Sequence, residues 1–180
     1  MCHCIHVSRH PCNGALRAWL MGLAIMAASC GAGAEILSGK VVAVADGDTV
    51  TVRDARMQTH KIRLAGIDAP ERSQPYGQVS RRSLSDQVLG QEVRIDADKT
   101  DRYARRVGKI ELQGRDVNLE QLRRGLAWHY KKYEQEQSPQ DRAVYADAEQ
   151  QARTARLGLW RDPHAQAPWE YRRQARPSEP

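Results

Sequence analysis

The chain has 180 residues and a mass of 20.3 kDa, room for one domain with tails or for two small domains. Hydrophobic residues make up 41% and charged residues 28%, an ordinary globular balance that excludes wholesale disorder. The net charge is +6, and 22 of the 28 basic residues are Arg, whose planar fork fits phosphate; the surplus reads either as a phosphate-bearing partner or as a codon bias.

The first thirty residues hold all four cysteines, Cys2, Cys4, Cys12 and Cys30. The body of the chain therefore carries neither a disulfide framework nor a thiolate zinc site. Arg9 and Arg17 are the only charges before Glu35, an apolar stretch runs from Ala18 to Ala28, and small residues end at Ala32-Gly33-Ala34. This pattern predicts a secretory signal peptide over residues 1–34, with an apolar centre short of the ~20 residues that span a bilayer. The expected product is exported, periplasmic or secreted, without stable membrane association after cleavage. Lipidation at Cys30 and retention as an anchor are the alternatives.

The body opens with a strand over Ser38–Ala45, rich in Val, and the turn dipeptide Asp46-Gly47. Asp48–Val52 returns as a second strand, and Thr59–Ile67 alternates as a third, with Ile62 and Leu64 on one face. Strand-breaking residues follow from Asp68 to Arg72. Ser80, Leu84 and Val88 recur at four-residue spacing, predicting a helix over Gly77–Leu89 that Gly90 stops. Strands over Glu92–Asp98 and Val107–Leu112 come next, then a helix over Val117–Ala127 with Leu119, Leu122 and Leu126 on its stripe. The last helix has Ser138 as its N-cap and Pro139 at its first position, and runs to Gly158. Residues 161–180 hold four of the eight prolines and read as a Pro/Arg-rich tail. The expected fold is α+β: a five-stranded OB-fold β-barrel with three helices over residues 35–160.

Charge concentrates where three strands end: Asp46-Gly47-Asp48-Thr49, Arg63 followed by Asp68-Ala69-Pro70-Glu71, and Asp101-Arg102-Tyr103-Ala104-Arg105. Each alone reads equally as a turn, a solvated strand face or a basic loop. In register, the three closely resemble the blocks of the staphylococcal nuclease (thermonuclease) family, and the resemblance runs from about Lys40 to Trp160. It implies that Asp48, Asp68 and the backbone carbonyl of Ala69 bind Ca²⁺, that Arg63 and Arg105 clamp the phosphate, and that Glu71 is the general base. It further implies hydrolysis of phosphodiester bonds in DNA and RNA, leaving a 3′-phosphate. Ala104 departs from the family's frequent Gly, and would be strained if its φ were positive.

The chemistry is consistent with those roles. A phosphodiester repels hydroxide, so hydrolysis needs neutralised phosphate oxygens and a positioned nucleophile. Ca²⁺ takes several hard oxygens, which suits two carboxylates and a carbonyl. Substrate contacts are expected from Arg102, Tyr103, Tyr130 and Tyr133. The last two interleave with Lys131 and Lys132, an arrangement suited to single-stranded nucleic acid; Tyr130 reads equally as core. His129 is expected at the surface and Trp128 in packing. The expected protein is a monomeric Ca²⁺-dependent nuclease with weak sequence preference. The alternative is a catalytically silent OB-fold module that binds nucleic acid; three retained groups, Arg63, Glu71 and Arg105, argue against it.

Overall fold

Five strands carry the architecture. In the computed structural model, which describes residues 35–175, these are β1 (Glu35–Asp46), β2 (Thr49–Arg53), β3 (Thr59–Leu64), β5 (Glu92–Thr100) and β6 (Arg106–Leu112). The expected signal peptide, residues 1–34, and the last five residues lie outside the described residues. The order is β3-β2-β1-β5-β6, and a parallel pairing of β3 with β6, Ile62 opposite Arg106, closes the barrel. The expected five-stranded OB-like barrel is therefore present.

The length of β1 makes closure possible. Its first half, Glu35–Lys40, pairs with β5, and its second half, Lys40–Asp46, pairs with β2. The hand-over falls at Gly39, where a Cβ would lie 2.5 Å from the Arg53 carbonyl oxygen. Only a residue without a side chain lets the two strands approach there. The interior is built from β-branched and Leu side chains: Val41, Val50, Val52, Ile62, Leu64 and Ile95 are each at most 1% exposed. With no Phe in the sequence, Tyr145 is the largest side chain in that core, and its hydroxyl donates to Asp116 Oδ2 at 2.8 Å.

The third expected strand is interrupted. β3 ends at Leu64, Gly66 turns with φ +73°, and the two-residue β4 (Ile67–Asp68) resumes in a second small sheet. Its partner is β8 (Trp128–His129), while β7 (Arg115–Asp116) pairs antiparallel with the end of β6. The pairing with β4 carries His129 indoors. It is 1% exposed, its backbone N–H donates to Glu149 Oε1, and its Nε2 lies 2.8 Å from Gln137 Oε1. The surface expectation for His129 is thus corrected.

Helix α1 (Gly77–Val88) packs Ser80, Leu84 and Val88 inward as their spacing requires. Helix α2 (Val117–Arg123) is shorter than its stripe suggested, because Gly125 at φ +65° closes it. Asp116 caps its start by accepting from the Leu119 N–H. Helix α3 (Pro139–Thr154) begins at the Ser138 cap but stops before Gly158, where Arg156 takes φ +49°. A fourth helix, α4 (Pro168–Ala175), lies within the segment expected as a tail. Its Pro opens the helix, and Trp169 docks it.

Candidate active site

The turn between β1 and β2 presents the first carboxylates. A Cβ on Gly47 would come within 1.8 Å of Ser80 Oγ and 2.7 Å of the Ala69 methyl, so this turn is pressed against α1 and the chain after β4. From α2, the buried Gln121 donates to the Gly47 carbonyl at 2.9 Å. Asp48, 5% exposed, accepts from the Ala69 N–H at 2.8 Å through Oδ2 and from Thr49 Oγ1 at 3.0 Å through Oδ1. Asp46 accepts from the Asp48 N–H, and burial and the Asp48 charge push it up to about 7.

Arg63 joins two segments. Opposite Thr49 on β3, it sends Nη1 to Asp48 Oδ2 at 2.9 Å and Nη2 to Asp68 Oδ1 at 2.8 Å. The carbonyls of Leu64 and Ile67 also accept from its Nη1. Asp68 is 1% exposed. Burial pushes its carboxyl upward against the pull of Arg172 and Arg63. Two buried carboxylates are held together here by one guanidinium.

Glu71 lies just beyond Pro70, with its side chain 37% exposed and open to water. Its backbone N–H donates to Gln74 Oε1 at 3.2 Å. Its carboxylate accepts from Arg172 Nη1 at 2.7 Å, and the same guanidinium reaches Asp68 Oδ2 at 2.7 Å. Against burial, which favours the neutral form, these bonds to Asp68 and Glu71 raise the Arg172 pKa further.

Arg105 comes from the loop between β5 and β6. Asp101 organises that loop: its Oδ1 accepts from the N–H groups of Tyr103 and Arg105, and its Oδ2 from the Arg105 guanidinium at 2.7 Å. Ala104 has φ +59°, the left-handed conformation that its departure from Gly put in question. Arg105 Nη1 reaches Thr49 Oγ1 at 3.5 Å, next to Asp48. Tyr103 is 65% exposed, with the guanidinium carbons of Arg102 and Arg105 5.6 and 5.4 Å from its ring. A cleft of about 440 Å³ opens beside this loop, lined by Thr51, His60, Lys61, Tyr103 and Arg106. None of the site carboxylates lines it.

The other two expected substrate tyrosines, Tyr130 and Tyr133, follow β8. Tyr130 stacks on Trp169 with centroids 5.5 Å apart and meets the edge of Tyr133 at 5.4 Å. Burial, followed by the charge of Asp68, raises the Tyr130 hydroxyl pKa. Tyr133 is 39% exposed, with Lys99 Nζ 4.8 Å from its ring centroid.

The structure thus gathers Asp48, Arg63, Asp68, Ala69 and Glu71 in one network, with Arg105 reaching its edge through Thr49. Tyr103 lies on the loop between β5 and β6 beside Arg105, and Tyr130 lies between Tyr133 and Trp169. Sequence reasoning passed over Arg172, left Trp169 in the tail, missed Gln121 and gave Asp46 no role beyond its turn. For the first two the signal was present in Pro168-Trp169-Glu170, a proline followed by a large aromatic and helix formers. Among the described residues no three His, Cys, Asp or Glu side chains form a metal cage. The hard-oxygen set is two buried carboxylates with the neighbouring backbone. This set fits a Ca²⁺ ion that completes its shell with solvent and substrate oxygens.

A closed five-stranded barrel with helices packed on it defines an OB-like α+β protein. Residues 61–162 match the model of the staphylococcal nuclease homologue family. The chain is 40% identical over 144 residues to a micrococcal nuclease of Shigella flexneri, covering 75% of this chain and 80% of that one. It is 38% identical over 135 residues to an uncharacterized endonuclease of Haemophilus influenzae, covering 75% and 72%. It is also 38% identical over 162 residues to protein ParB of Escherichia coli, covering 85% and 88%. The chain belongs to the staphylococcal nuclease family.

Proposed function

We propose that the protein is a Ca²⁺-dependent nuclease that hydrolyses phosphodiester bonds in DNA and RNA with weak sequence preference. The observation that carries this reading is the exposed carboxylate of Glu71 beside the buried pair Asp48 and Asp68, bridged by Arg63. A module that only bound nucleic acid would gain nothing from an acidic group facing its phosphates.

Asp48, Asp68 and the Ala69 carbonyl would hold Ca²⁺, which supplies charge neutralisation at the phosphate. Glu71 takes a proton from the attacking water as its oxygen bonds to phosphorus. The bond to the 5′ oxygen breaks, that oxygen takes a proton from solvent, and a 3′-phosphate remains. Arg63 and Arg105 donate to the non-bridging oxygens, where negative charge is greatest in the transition state. For Arg63 this means exchanging part of its carboxylate pairing for phosphate. Tyr130 and Tyr133 offer faces for unpaired bases, which favours single-stranded substrate. The protein acts as a monomer.

The test is turnover of denatured DNA by purified residues 35–180, in Ca²⁺, in Mg²⁺ and in excess chelator. Activity is expected in Ca²⁺, with Mg²⁺ a poor substitute because few protein oxygens fix an octahedron here. Full activity in chelator would overturn the metal assignment. We also propose export through residues 1–34; the mature chain should begin near Glu35, and N-terminal sequencing of the processed product checks it. A lipid-bearing chain starting at Cys30 would replace that reading.

A further inference from the structure

The family match ends at residue 162, and α4 begins at Pro168. Yet the segment around α4 touches the Glu71 loop at three separate points. Gln74 Nε2 donates to the Gln166 carbonyl at 2.6 Å, Ser73 Oγ and the Tyr171 hydroxyl share a hydrogen bond of 3.1 Å, and Arg172 reaches both Asp68 and Glu71 at 2.7 Å. An eight-residue helix is not stable by itself in water, so its tertiary contacts set its position. Ala167 and Pro168 are buried, and Trp169 stacks on Tyr130 and meets the edge of Trp128 at 5.5 Å. Arg172 follows Trp169 by three residues, on the same helical face. The aromatic anchor therefore aims the guanidinium at the carboxylates.

Among the described residues Arg172 is the partner of the Glu71 carboxylate. Glu71 is on a loop, and an exposed Glu side chain explores many rotamers unless something fixes it. A guanidinium held by Asp68 on one side fixes the distance and the plane of Glu71 on the other. Without it, Asp68 and Glu71 would face each other as like charges.

We propose that Arg172 is a positioning residue of the nuclease site, holding Glu71 beside Asp68 so that its carboxylate meets the attacking water from a fixed direction. Residues 163–175 thereby complete a site that the family-matched region leaves without a partner for Glu71. This rests on the reading of Glu71 as the base. A different role for the same contact, a latch that blocks the carboxylates, predicts the opposite sign.

The experiment is kcat and KM on single-stranded DNA, with thermal unfolding, for Arg172→Ala, Arg172→Lys, Arg173→Ala, Glu71→Gln and the double variant Glu71→Gln with Arg172→Ala. Arg172→Ala should lower kcat about 10- to 100-fold, the usual cost of losing a partner that orients an active-site group, with little change in KM. Arg172→Lys should recover part of the loss, and Arg173→Ala, a change at an exposed position of the same helix, should leave kcat at the wild-type level. In the Glu71→Gln background the further loss on Arg172→Ala should shrink to about twofold or less, because the group being positioned no longer takes a proton. If Arg172→Ala melts within the assay range, Arg172→Gln takes its place in the same cycle. An unchanged or raised kcat for Arg172→Ala, or an equal loss in both backgrounds, overturns the proposal while a large Glu71→Gln loss keeps the base assignment. A Glu71→Gln variant as active as wild type overturns both.

Discussion

Arg63 is 13% exposed and spends its guanidinium on Asp48, Asp68 and two backbone carbonyls. Its removal leaves two buried carboxylates facing each other without that cation. Breaking a buried pair from one side typically costs roughly 3–5 kcal/mol. Arg63→Ala should therefore melt well below the wild type, and added Ca²⁺ should restore more stability to it than to the wild type, since the ion binds the folded carboxylates and not the unfolded chain. Arg63→Lys should regain part of the melting temperature and little of the turnover, because a point charge cannot donate through two prongs. The measurements are thermal unfolding with and without Ca²⁺, and turnover for each variant. An Arg63→Ala protein that melts with the wild type would show that the carboxylates do not depend on this arginine.

The loop between β5 and β6 is an element whose shape one side chain sets. Asp101 accepts from two backbone N–H groups and from the guanidinium that the loop exists to present. Although burial pushes the other way, the hydrogen bonds from Arg105 and Tyr103 hold the Asp101 carboxyl below its ordinary value. A carboxyl with a lowered folded-state pKa stabilises above its unfolded value and loses that contribution as pH falls through the folded one. Asp101→Asn should lower turnover through a misaimed Arg105, and its stability deficit against wild type should close in acid, below about pH 4. Turnover at neutral pH and melting curves across an acid series check this; a deficit that persists unchanged in acid would mean the ionised carboxylate is not what holds the loop. Such loops were legible in the sequence because part of their chemistry is local: Asp101 and Arg105 are four residues apart, and Asp46 accepts from the Asp48 N–H within the DGDT turn, although Ser80, Ala69 and Gln121 also hold that turn in place. The alternation of Val and Ile likewise marked all five barrel strands. What could not be read was set by distant partners. His129 is buried because β8 pairs with β4, some sixty residues earlier in the chain. Arg172 enters the site because Trp169 finds Tyr130, and no periodicity in a Pro- and Arg-rich stretch announces that docking. Helix ends shifted for a smaller reason, the left-handed turns at Gly125 and Arg156.

Across the whole molecule, cations fall into two groups that a salt series separates. Arg63 and Arg105 are tied to carboxylates at the mouth of the barrel, within the network that would face the scissile phosphate. Lys131 and Lys132 lie beyond Tyr130; the side chain of Lys131 is 64% exposed, and Lys132 Nζ sits 5.6 Å from the Tyr133 ring. Charges of the second kind attract a polyanion over a distance that salt screens within about 8 Å at physiological ionic strength. They also release counterions on contact, so affinity falls with salt in proportion to their number. Lys131→Ala with Lys132→Ala should therefore raise KM on single-stranded DNA and flatten its salt dependence, with kcat nearly intact. Arg105→Ala should lower kcat strongly at every salt concentration, because a contact made at the phosphate in the transition state does not depend on long-range attraction. The net positive charge, +4 over residues 35–180 from 26 Lys and Arg against 22 Asp and Glu, then acts on encounter and the half-buried arginines on chemistry. If the lysine pair lowers kcat as much as Arg105→Ala does, the aromatic flank belongs to the reacting centre, and Tyr130 and Tyr133 hold the scissile phosphate rather than the bases beside it.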